Sequence, residues 1–233
     1  MRAASINGFP VATLAYARTV RLVSTARLRD PVLLKLVDAE LLNDLAEIEG
    51  ATSGRLVAQR SGTYGITGPE FVSGMPHSAF INAAFAYFRP RELNRFNGPG
   101  RGAWYASLNV ETCLAEVIFH ISRELARVND YRAIVDYAEL FASFAGDYVD
   151  LRSINPPPPC LNLDLAIGYE AGNVLADATR SAGVNGIVYS SVRHSSGTNI
   201  VALWPHAVQS VSQGQVLRVE WSGGPRPKIS PII

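Results

Sequence analysis

The sequence predicts a mixed α+β domain, on three observations. Segments with strand-like and helix-like periodicity are interspersed along the chain instead of falling into blocks. The strand-like segments are short and separated by hairpin-like turns, which argues against a doubly wound parallel sheet. Apolar residues make up 48% of the 233 residues, enough to bury a sizeable core without a staple, and no internal repeat is visible.

Taken in order, Thr19 to Ser24 alternates β-branched and polar residues as a strand does. Asp38 to Glu49 turns helical: Leu41, Leu45 and Ile48 recur at i, i+4 and i+7, Asp38 is the N-cap and Gly50 the stop. Ser61 to Pro76 is dominated by glycine, proline and serine and reads as a long loop or hinge. The apolar run Ala79 to Phe88 favours a helix. Ala103 to Ser107 reads as a strand and Val110 to Val128 as a helix. Tyr131 to Leu140 and Tyr148 to Leu151 are two further strands by their aromatic and β-branched content. The four prolines Pro156 to Pro159 demand an extended surface loop. Ile167 to Arg180 is a helix ending before Gly183, and Gly186 to Tyr189, Thr198 to Trp204 and Gln215 to Trp221 are strands.

Composition excludes several classes of function. A net charge of +1 with no run of five like charges removes the field of a protein that coats nucleic acid, so any phosphate recognition is local. No apolar stretch approaches the roughly 20 residues of a membrane span. Phe9 to Ala15 followed by Ala15-Tyr16-Ala17 faintly imitates a secretory signal, but Gly8 and Pro10 interrupt it. Two cysteines, Cys113 and Cys160, suit a reducing compartment and match no zinc pattern. The expected location is the cytoplasm.

The best lead to chemistry is the loop Asn94 to Gly102, which runs into the aromatic strand holding Tyr105 and then into a helix. Three glycines and two arginines let backbone N–H groups and guanidinium forks approach a phosphate. The loop lacks the Lys-Ser/Thr ending of a Walker motif. In the helix Val110, Leu114, Val117, Ile118, Ile121 and Leu125 form one apolar stripe. Glu116 lies off it, beside Asn109, Cys113 and His120, the last within hydrogen-bonding reach. Such a carboxylate is either a solvated helix face or a group facing a cleft. Cys113, Glu116 and His120 have a zinc-like spacing with no second ligand cluster. A second polar cluster, Ser190 to Asn199, offers hydroxyls, a cation and an imidazole, or is an ordinary loop.

Arg95-Phe96-Asn97, Gly102-Ala103-Trp104-Tyr105-Ala106-Ser107, Glu111-Thr112-Cys113-Leu114-Ala115-Glu116-Val117 and Gly186-Ile187-Val188-Tyr189-Ser190-Ser191-Val192-Arg193-His194, in that order, resemble the RES-domain family. The resemblance covers Ala79 to Val208 and extends more loosely to Arg21 through Gly50. It implies one RES-type domain over residues 1–233, with 75–210 as its core and 1–55 as a strand-and-helix extension packed on it. It also implies an ADP-ribosyltransferase-like fold, with short twisted sheets around a cleft and flanking helices. The implied activity is that of a bacterial toxin that splits the nicotinamide–ribose bond of NAD and passes ADP-ribose to phosphate or water. NAD is then a substrate and phosphate a possible co-substrate, with no cofactor and no metal. The implied partner is an Xre-type helix-turn-helix antitoxin that blocks the pocket, with a homodimer one arrangement of the toxin in that complex and no nucleic acid or membrane bound directly.

Residue by residue, the resemblance assigns catalysis to Glu116, Arg95, Tyr105 and Ser191, and substrate binding to Arg27, Arg95, Tyr105 and Ser191, with Arg21 the rival of Arg27. Asn94-Arg95-Phe96-Asn97 stands where many members have Gly-Gly-Arg-Trp-Asn, and Ser190 where proline is frequent, so Ser190 competes with Ser191. The chemistry fits these types: leaving nicotinamide builds positive charge at the anomeric carbon, which an anion stabilises, while arginines clamp the pyrophosphate. Two alternatives keep the same pocket, a protein mono-ADP-ribosyltransferase and a non-catalytic RES-like domain that only binds partners.

Overall fold

The structure, a computed structural model, describes residues 5–27, 66–86 and 93–232. The expected helix at Asp38 to Glu49 lies outside them, as does the first part of the Ser61 to Pro76 stretch. The architecture is α+β: three α-helices and an eight-stranded mixed sheet among the described residues. The strands are β1 (Ser5–Ile6), β2 (Phe9–Ser24), β3 (Trp104–Ser107), β4 (Arg132–Asp150), β5 (Gly186–Ser190), β6 (Thr198–Ala202), β7 (Gln209–Ser222) and β8 (Lys228–Ile232). They run in the order β1-β2-β3-β6-β5-β4-β7-β8, antiparallel except where β5 lies parallel to β4. Because β2 also pairs with β4, the strands β2, β3, β6, β5 and β4 close on themselves into a ring.

Strand lengths depart most from expectation. The segment resembling a leader is the first part of β2, whose hairpin with β1 turns on Asn7 (φ 50°) and Gly8 (φ 81°), the positive angles a two-residue turn needs. The strands expected at Tyr131 to Leu140 and Tyr148 to Leu151 merge into one strand of 19 residues, Arg132–Asp150. β2 runs along Tyr137 to Val149 of β4 and holds the small residues between the two expected segments extended. On its other edge β4 exchanges β7, paired through Ser143, for β5, paired from Tyr148. Gly146 (φ 127°) sits at that exchange, where an added Cβ would lie 2.3 Å from the Asn185 amide nitrogen. The Asn185 side chain donates to Ala145 O and its backbone N–H to Asp147 O, filling the gap in the ladder. The prolines also differ: Pro158 is buried and Pro159 opens a 3-10 turn through Leu161.

Helix α1 (Ser78–Ala86) and its neighbours cover one core cluster around Trp104, Phe144 and Tyr148. Helix α2 (Val110–Arg127) is capped by Asn109, whose Oδ1 accepts from Thr112 N–H at 2.9 Å. Its stripe of Leu114, Val117, Ile118, Ile121 and Leu125 packs on Tyr137, Val219 and Trp221 of β4 and β7, as the periodicity predicts. Helix α3 (Leu165–Ser181), capped by Asp164, covers the cluster that includes Phe96, Leu175 and Ile187. Full burial of a side chain of this size contributes about 1.5–3 kcal/mol; the α2 stripe, partly buried, contributes a fraction of that at each position, whereas Leu175 of α3 is buried outright. Among the described residues no helix is long and apolar enough to cross a membrane.

Candidate active site

A cleft of about 250 Å³ opens between α2, the end of β2, β3 and the loop after β5, with Arg21, Arg95, Tyr105, Glu116, His120 and Arg193 in its walls. Glu116 is carried there by α2. The apolar stripe fixes the helix on the sheet, so the side off the stripe faces the cleft and not bulk solvent. Its Oε1 accepts from Ser191 Oγ at 2.8 Å and from Asn199 Nδ2 at 2.9 Å. Oε2 accepts no hydrogen bond from a described residue.

Both donors are themselves fixed. Asn199, on β6, receives the Ser107 hydroxyl proton at its Oδ1 (2.6 Å), which turns its NH₂ group to Glu116. Ser191 follows β5, and its Oγ accepts from the N–H groups of Arg193 and His194, each at 3.1 Å. With both lone pairs occupied, its one proton goes to Glu116. The hydroxyl to which the resemblance gives a ligand-binding role is thus partnered by Glu116, Arg193 and His194. Ser190 is exposed and reaches only Arg152 O at 3.5 Å, so Ser191 is the serine brought to Glu116.

Arg95 is buried, and its Nη1 donates to Cys160 O (2.6 Å) and Asn162 O (3.2 Å) while the residue lines the cleft. Tyr105 also lines it, and its hydroxyl holds the Arg95 loop by accepting from Phe96 N–H and donating to Asn97 Oδ1, both at 2.9 Å. Burial pushes the Tyr105 phenol well above its ordinary pKa, so it stays a donor. Arg101 departs from expectation: it is buried, donates to Leu203 O and pairs with Glu70 at 2.6 Å, so it is no phosphate clamp.

Arg21 supplies a cation at the cleft instead, its Nη1 donating to Tyr105 O at 3.2 Å and its guanidinium lying 4.9 Å from the Trp104 ring. Arg27 closes the 3-10 turn Thr25–Arg27, and its side chain lies outside the described residues. Arg193 is a further lining cation, stacked on Phe119 at 3.6 Å with Nη2 donating to Leu163 O. In the sequence it stands only as the cation of the second polar cluster. Three arginines and one carboxylate among the described lining residues make a cleft suited to an anionic ligand.

His120 lines the cleft without a hydrogen bond to Glu116. Burial holds its imidazole below the ordinary value of 6.5, opposed by the nearby Glu116 carboxylate. Among the described residues no three His, Cys, Asp or Glu side chains cluster as metal ligands would; of the zinc-like spacing on α2, Cys113 Sγ donates to Val20 O at 2.9 Å and burial pushes its thiol up to about 11. A family model described as the RES domain matches residues 72–222, a span that holds Arg95, Tyr105, Glu116 and Ser191. No curated protein matches the chain.

Proposed function

The chain belongs to the RES-domain family, and from that premise we propose that its toxin-like, NAD-related role is cleavage of the nicotinamide–ribose bond of NAD, with ADP-ribose passed to phosphate or water. The observation that carries this reading is the Glu116 carboxylate. One of its oxygens is held by Ser191 and Asn199, and the other is left to a cleft lined by arginines.

As neutral nicotinamide departs, positive charge develops at the anomeric carbon and the ring oxygen of the ribose. Glu116 stabilises that charge and orients the incoming oxygen, and its fixed geometry means little reorganisation is needed as the charge appears. Arg21, Arg95 and Arg193 offer forks to the pyrophosphate, which holds the dinucleotide while the bond breaks. Tyr105 presents its ring to the nicotinamide end while its hydroxyl keeps the Arg95 loop in place. In this reading the chain is the toxin of a toxin–antitoxin pair, and an Xre-type partner closes the cleft.

The test is product analysis of the purified chain with NAD, with and without phosphate. Nicotinamide with ADP-ribose-1″-phosphate identifies phosphorolysis, nicotinamide with ADP-ribose identifies hydrolysis, and mass added to a protein identifies a protein acceptor. Unchanged NAD under all conditions overturns the reading. Glu116→Gln keeps the shape and loses the charge, and nicotinamide release is expected to fall by about two orders of magnitude or more. A rate within a few-fold of the parent would remove Glu116 from the mechanism.

A further inference from the structure

We propose that Thr112, His194 and Gly197 form a latch that positions Ser191, and through it Glu116, by fastening the loop after β5 to the first turn of α2. Thr112 is fully buried, and its Oγ1 lies 2.6 Å from Asn109 Oδ1 and 2.8 Å from His194 Nδ1. Asn109 Oδ1 also accepts from Thr112 N–H, so this atom is the amide oxygen and cannot donate. The single hydroxyl proton of Thr112 therefore goes to Asn109, and His194 Nδ1 must carry a proton and donate to Thr112 Oγ1. The contact fixes the imidazole tautomer and ties the loop to the helix cap.

The loop is built to bring His194 there. Ser191 N–H donates to Gly197 O and Gly197 N–H to His194 O, closing a tight turn. A Cβ on Gly197 would stand 2.5 Å from Thr112 Oγ1 and 3.0 Å from His194 Nδ1, so only glycine lets the turn lie this close to the helix. Within that turn the N–H groups of Arg193 and His194 hold Ser191 Oγ, which donates to Glu116. Thr112 and Glu116 stand one turn apart on α2, so the helix that carries the carboxylate also anchors the loop that holds it.

This positioning role rests on the NAD-cleaving reading, and two readouts keep the two ideas separable. In ¹⁵N-resolved spectra of the full chain, His194 should show the Nδ1–H tautomer. Thr112→Val should abolish it and shift the amide signals of Arg193 and His194, while Thr112→Ser should restore both. In nicotinamide release, Thr112→Val should lower kcat by about tenfold with KM for NAD unchanged, the pattern of a reacting group displaced by a fraction of an ångström, and Thr112→Ser should recover it. If Thr112→Val does not fold, His194→Phe removes the same bond from its more exposed end. An Nε2–H tautomer in the parent protein, unmoved loop amides, or a loss shared equally by kcat and KM overturns the latch. A parent protein that releases no nicotinamide overturns the NAD reading instead, and the spectra alone then decide whether the latch exists.

Discussion

Asn199 decides how Glu116 presents its charge. Its amide is oriented by Ser107, so the side chain is a donor to Glu116 and nothing else. Asn199→Asp keeps the shape but sets a carboxylate oxygen about 2.9 Å from Glu116 Oε1. Two carboxylates that close repel each other unless they share a proton, so the variant pair should titrate as a unit. At neutral pH the rate should fall by about tenfold or more and recover in part as pH rises, moving the acidic limb of the kcat profile upward. A profile superimposable on the parent's would mean that Asn199 does not control the carboxylate. Much of this site was legible in the sequence: the off-stripe position of Glu116 and the polar run at Ser191 both pointed to it. Arg101 was misread because its sequence neighbours are glycines, whereas its destination, Leu203 O and Glu70, is set by contacts far along the chain. Arg193 and Asn199 gave only a polar-loop signal, because convergence on α2 depends on strand order.

The Arg95 loop is placed by helix α3. Gly168 and Gly172, one turn apart, are buried against it: a Cβ on Gly172 would lie 1.9 Å from Arg95 O, and one on Gly168 would lie 2.8 Å from Arg95 Nη1. Neither glycine is needed for a positive φ, and both are needed for close approach. Gly172→Ala gains about 1 kcal/mol of helix propensity. It must also push back a backbone carbonyl, and overpacking of that kind costs about 1–3 kcal/mol. Thermal unfolding should show a net loss or no gain, while KM for NAD should rise as Arg95 shifts. A stabilised variant with unchanged KM would show that the helix does not set the loop. Helix α2 was legible because its apolar stripe is local, and the structure adds local caps to both helices, Asn109 on α2 and Asp164 on α3. The two segments of β4 could not be joined from sequence. Ala142, Ala145 and Gly146 have weak strand preference and are held extended by β2, more than a hundred residues away, while Ser143 between them pairs with Gln209 of β7.

A net charge of +1 means that the whole protein carries little self-repulsion near neutrality, so its pH dependence is set by individual groups. Asp150 is held below its ordinary value of 3.8 chiefly by the Arg152 hydrogen bond. Glu70 is likewise held below 4.5: burial alone would raise it, and the hydrogen bonds from Arg101 and Thr67 outweigh burial. Both carboxylates contribute stability that is present above their ordinary values and lost as pH falls through the folded ones, so they act only in strong acid. His120 acts earlier. Its folded pKa lies below 6.5, so on acidification the unfolded chain takes up a proton before the folded one does, and stability declines from about 6.5 downward. The melting temperature should therefore be flat above about pH 7.5, decline gently below 6.5 and drop steeply only once the carboxylates protonate. His120→Gln removes the first stage alone: the difference in Tm between the variant and the parent should be constant above neutrality and shift in the variant's favour as pH falls through 6. Parallel Tm curves across that range would mean that His120 keeps its ordinary affinity for protons. A neutral imidazole also leaves the cleft with the same three arginines and one carboxylate through the physiological range, so NAD binding there should track salt more steeply than pH.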